Sequence, residues 1–74
     1  MKALLNNVKG IKQQVVICGV DKYEVPTLRA MIEKLNGNIH KGTQLELSSW
    51  SNSSDYIVSK VTNDKIIVKM KGWE

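Results

Sequence analysis

The sequence has no phenylalanine, and only one proline, one cysteine, one histidine and one arginine among 74 residues. Each shortage closes a route. A lone cysteine cannot form an intrachain disulfide, and one Cys with one His cannot supply the four ligands of a structural zinc site. A chain of this size buries only about 60% of its unfolded surface. Without such staples, its stability rests on an economical core or on an interface that completes it. No stretch of about 18 apolar residues occurs, so nothing reads as a membrane-spanning helix. The opening Met1-Lys2-Ala3-Leu4-Leu5 echoes a signal peptide, but Asn6, Asn7 and Lys9 interrupt its apolar run. The expected location is therefore cytoplasmic, and Asn52-Ser53-Ser54 reads as a chance match to the glycosylation pattern.

What is present is lysine. Ten lysines and Arg29 oppose seven acids, for a net charge of +4. A basic balance favours anionic partners such as nucleic acid. The scarcity of arginine argues against base-specific recognition, because planar bidentate contacts favour the guanidinium.

One helix is expected at Pro26 to Leu35. Leu28, Met31, Ile32 and Leu35 fall at i, i+3, i+4 and i+7, forming one apolar stripe. Pro26 suits the first turn, Glu24 places negative charge at the positive end of the dipole, and Asn36-Gly37 supplies a left-handed stop. Arg29 and Glu33 are spaced to pair on the outer surface.

A hairpin is expected near the C-terminus, with Tyr56 to Thr62 and Lys65 to Lys71 flanking a two-residue Asn63-Asp64 turn that tolerates positive φ. Uninterrupted pairing sets Val61 opposite Ile66, Ser59 opposite Val68 and Ile57 opposite Met70, an apolar face. Tyr56, Val58, Lys60, Lys65, Ile67, Lys69 and Lys71 then share the other. Thr43 to Trp50 also alternates, with Thr43, Leu45 and Leu47 on one side. Ser51 to Asp55 reads as an exposed polar connector. Gln13 to Val20 is apolar on both faces, which marks an interior strand. The segment Ala3 to Ile11 fits a helix or a strand, and Asn6-Asn7 tilt it to the strand.

The whole chain, residues 1-74, is thus expected to be one α+β domain in the order β-β-α-β-β-β, a short helix on a mainly antiparallel sheet of four to five strands. The expected core is Val15, Ile17, Leu28, Met31, Ile32, Leu35, Leu45, Leu47, Ile57, Val61, Ile66 and Val68. One helix covers only one face of such a sheet. The other must be shielded by Ala3 to Ile11 or by a second copy in a homodimer.

Little in the sequence points to catalysis. His40 sits in the loop Asn38 to Gly42 without a nearby nucleophile, Cys18 lies in the most apolar strand as a small hydrophobe, and no acids or glycines have ligand or phosphate-loop spacing. No catalytic residue, metal or cofactor is expected. The leading expectation is a non-enzymatic module that docks on another protein as a regulator or inhibitor, of the kind phages and mobile elements encode. Trp50 and Trp73 are its candidate anchors. The alternative is a nucleic-acid-binding module using a basic hairpin face of Tyr56, Lys60, Lys65, Lys69 and Lys71, with the ring stacking a base and the lysines on phosphates.

Overall fold

The computed structural model describes residues 1–48 and 53–71. Five strands and one helix follow in the order β1 (Ala3–Leu5), β2 (Gln14–Ile17), α1 (Val25–Lys34), β3 (Gln44–Ser48), β4 (Ser53–Val61) and β5 (Lys65–Met70). This is the expected α+β arrangement. The strands form one sheet ordered β1-β2-β5-β4-β3. Three of its four pairings are antiparallel, while β2 and β5 run parallel, so the sheet is mixed. Among the described residues no helix is long and apolar enough to cross a membrane.

The helix forms where its signals place it. Pro26 lies in the first turn, Glu24 is the N-cap, and the Leu28 amide donates to the Glu24 carbonyl. Asn36 (φ 50°) and Gly37 (φ 89°) end it in the left-handed region. Leu28 and Ile32 are fully buried, and Met31 and Leu35 pack at the margin of the core. They meet Val15 and Ile17 from β2 and Ile66 and Val68 from the middle strand β5, joined by Leu5, Val8, Val20, Leu45, Tyr56 and Val58.

The segment Ala3 to Ile11 resolves as an edge strand followed by a loop. Ala3 pairs with Ile17 and Leu5 with Val15, which turns Ala3 and Leu5 toward the helix and Leu4 away from it. The loop then tucks Val8 into the core and sets Ile11 against it. Arg29 holds that loop from the helix side: its guanidinium donates to the Asn6 and Asn7 carbonyls at 3.4 and 3.2 Å. Glu33, 3.8 Å from Arg29, accepts from the Lys9 amide at 3.1 Å. At the far side of the loop Gly10 (φ +82°) meets the chain just past α1. A Cβ there would stand 3.1 Å from the Asn36 carbonyl carbon and 3.2 Å from the Gly37 nitrogen.

The hairpin departs from expectation in three places, the first with wide effects. Val61 does pair with Ile66, but the register shifts between Val58 and Lys60, leaving Ser59 as an extra residue in β4. Val58 therefore opposes Val68, and Tyr56 opposes Met70. A bulge of one residue inverts the facing of everything on its far side. Tyr56 and Val58 are buried under the helix at about 1% exposure each, while Ile57 moves to the opposite face. Ile57 is thus not part of the helix-side core. Val61 keeps the inner phase but lies at the hairpin end, 37% exposed. The strand also starts earlier than expected: Ser53 to Asp55 pair with β3 instead of forming a connector. In the Asn63-Asp64 turn neither residue takes positive φ. Instead the Thr62 hydroxyl accepts from the Asp64 and Lys65 amides, and the Thr62 amide donates to the Lys65 carbonyl.

Candidate docking face

The helix covers one side of the sheet, and the pairings define the other. Leu4 lies beside Val16, Val16 beside Ile67, and Ile67 beside Lys60, a row running across four strands. One step along β5, Lys69 lies beside Ile57, which lies beside Gln44. One step the other way, Lys65 lies beside Gln14. Asp55 and Glu46 pair further out on β4 and β3. The result is an apolar row flanked by lysines, with two acids at the far corner.

Burial shows how this face is finished. Val16 is only 6% exposed, although it does not belong to the helix-side core cluster. Leu4 is 55% exposed. Ile57, Ile67 and Lys69 are half-buried, whereas Lys60 and Lys65 are exposed. The loop after β1 goes to the helix side, so Ala3 to Ile11 does not lie over this row. Among the described residues no helix or strand packs over it.

The five residues of the expected basic face divide. Lys60, Lys65 and Lys69 share the helix-free face, and the exposed Lys71 continues the β5 phase, its amide donating to the Asp55 carbonyl. Tyr56 does not join them, because the Ser59 bulge turns it inward. Its hydroxyl donates to a Glu24 carboxylate oxygen at 3.3 Å. Burial first, then the Glu24 carboxylate, pushes its pKa up to about 12. No stacking ring therefore accompanies these lysines among the described residues. Arg29, the only arginine, is engaged with the β1–β2 loop on the helix side. Trp50 and Trp73 lie outside the described residues.

Comparison with family models, with curated proteins and with solved structures returned no match. The remaining chemistry is read from the residues alone. His40 is exposed, with Nδ1 3.0 Å from the Lys41 carbonyl oxygen and its amide donating to the Thr43 hydroxyl. Cys18 is half-buried instead of interior, since β2 ends at Ile17 and the thiol follows on the helix-free phase. It borders a depression of about 450 Å³ with Gly19, Lys69 and Met70, at the C-terminal ends of the parallel strands. A second depression, of about 350 Å³, lies by Lys41, Gly42 and the bulge. Among the described residues no group of three His, Cys, Asp or Glu side chains is placed to hold a metal.

The sequence pattern places Ile67 with the lysines of this face but does not bring Leu4 and Val16 beside it. The signal for those two is the two-sided apolar character of β2, which requires a neighbour on each face.

Proposed function

We propose that this chain is a small non-enzymatic module that acts by docking on another protein through the helix-free face of its sheet, as a regulator or inhibitor in the cytoplasm. One observation carries the reading. The segment that was free to cover that face joins the sheet edge instead, leaving Leu4 more than half exposed in one row with the half-buried Ile67, over the buried Val16. Apolar side chains grouped on an open surface and rimmed by charge are the usual makings of a protein contact.

The test compares the parent chain with Leu4→Asp and Ile67→Asp, each verified as folded by circular dichroism, as bait in nuclease-treated lysate. The reading expects a partner held by the parent at moderate salt and released by either variant. Retention of the same proteins by all three baits would assign the contact to another surface.

A nucleic-acid contact is the second reading, favoured by the shared facing of Lys60, Lys65 and Lys69. Contacts of that kind go to phosphates, tolerate any sequence and weaken steeply with salt. Changing Lys60, Lys69 and Lys71 together to Gln should then abolish retention of oligonucleotides at low salt. Equal retention by parent and triple variant ends this reading.

A further inference from the structure

Building on the proposed docking face, we infer that its occupant is an acidic amphipathic helix of a partner protein, lying across the strands. The direction follows from where the apolar side chains are. Along β5 the outward positions are Lys65, Ile67 and Lys69, so a segment running with the strand meets a single apolar contact. Across the strands, the exposed Leu4 on β1 and the half-buried Ile67 on β5 lie two strands apart, with the buried Val16 of β2 as the floor between them. Two interstrand steps span about 9.6 Å. A helix presents same-face side chains at i and i+7 about 10.5 Å apart along its axis. An extended segment presents same-face side chains roughly 6.8 or 13.6 Å apart, and neither fits. The helical spacing matches the row.

The charge follows from the flanks. Lys65 and Lys69 stand two residues either side of Ile67 on β5, about 7 Å away in each direction. Lys60 closes the row at its β4 end, opposite Ile67. An occupant seated on the row therefore has an ammonium group on each flank and one at its end. Carboxylates beside its apolar stripe complete those pairs, and the lysine stems pack on the stripe's margins.

The same charges disfavour the other two occupants. A second copy stacked face to face would oppose Lys60, Lys65, Lys69 and Lys71 with an equal set, against Asp55 and Glu46 among the described residues. Among the described residues a nucleic-acid strand would meet an aliphatic row with no ring to stack on, since Tyr56 faces the helix.

The test uses the full chain and three synthetic helical peptides with Leu at i, i+4 and i+7. Glu, Gln or Lys occupies the flanking positions, and binding is followed by fluorescence anisotropy. Light scattering and oligonucleotide titrations run in parallel. The Glu peptide is expected to bind about five- to tenfold more tightly than the Gln peptide, and the Lys peptide more weakly still. Lys65→Gln with Lys69→Gln should erase the Glu preference while leaving the Gln peptide's affinity unchanged. Leu4→Asp, at a position more than half exposed and with folding checked by circular dichroism, should weaken all three.

Equal affinity for the Glu and Gln peptides overturns the acidic partner. If no peptide binds, yet lysate capture is still lost in Ile67→Asp, the docking face stands and its helical occupant falls. A dimer dissolved by Leu4→Asp makes the occupant a second copy and overturns the inference. Oligonucleotide binding without peptide binding overturns both the inference and the docking reading on which it rests.

Discussion

The Tyr56 hydroxyl donates to a Glu24 carboxylate oxygen 3.3 Å away, joining β4 to the residue that caps α1. Glu24 makes no capping hydrogen bond with its side chain, so the carboxylate is free to receive the phenol. Tyr56→Phe keeps the ring packed and removes only this bond. It should cost about 1 kcal/mol in urea unfolding. A loss no larger than that of Tyr23→Phe, an exposed ring, would deny the bond any part in stability.

The same pair makes stability depend on alkaline pH. Tyr56 is raised from 10.0 to about 12 by burial and by Glu24. Below about pH 10 the phenol is protonated in both folded and unfolded chains, and its contribution is whole. Between pH 10 and 12 the unfolded chain ionises first, so stability falls as pH rises through that window. In a Tyr23→Phe background, tyrosinate absorbance should rise well above pH 10 in the folded protein. It should move down to about 10 in denaturant.

Leu28 and Ile32 carry the helix's contact with the sheet. Leu28→Ala and Ile32→Ala should each cost about 2–5 kcal/mol, which a domain of this size can scarcely absorb. Thermal melts followed by circular dichroism decide the point. Unchanged midpoints in both variants would mean that this stripe is not what anchors the helix.

Gly10→Ala tests the seam between the β1–β2 loop and the end of α1. The new methyl meets backbone at 3.1 Å, and φ there is +82°, so neither the space nor the conformation suits alanine. The cost should exceed about 1 kcal/mol. Gly42→Ala, with nothing within 4 Å of its Cβ, is the control for φ alone and should cost less.

Glu33→Gln tests the clamp on the same loop. The Lys9 amide donates to the Glu33 carboxylate, which also neighbours Arg29. Weakening this exposed pair should change global stability by less than about 1 kcal/mol. Hydrogen exchange at the Lys9 amide should nonetheless quicken, whereas amides in β5 should keep their protection.

Much of this architecture is written locally. The stripe Leu28, Met31, Ile32, Leu35, the stop at Asn36-Gly37 and the two-sided apolar strand around Val16 each state their structure within a few residues. The facing of the first half of β4 is not stated that way. Tyr56, Ile57 and Val58 are all good strand residues, and alternation alone cannot decide which of them points inward. The decision comes from Ser59, whose insertion becomes visible only once Val58 is seen opposite Val68. For the same reason the lysines of the docking face were legible, since they lie on β5 and beyond the bulge, while the ring assigned to them was not. The parallel pairing of β2 with β5 was also hidden, because no short stretch of sequence encodes a contact between segments so far apart.

That pairing has a consequence for how the chain comes to be folded. β5 is the middle strand of the sheet and β2 its neighbour, yet the helix and two other strands separate them in sequence. The β4–β5 hairpin can close locally and early, and β3 can join it across a short connection. β2, with β1 already on its other side, must wait for β5 before its second ladder exists. The central seam is therefore the slow, high-loop-entropy step, and until it closes two apolar strand edges stand open in the same molecule.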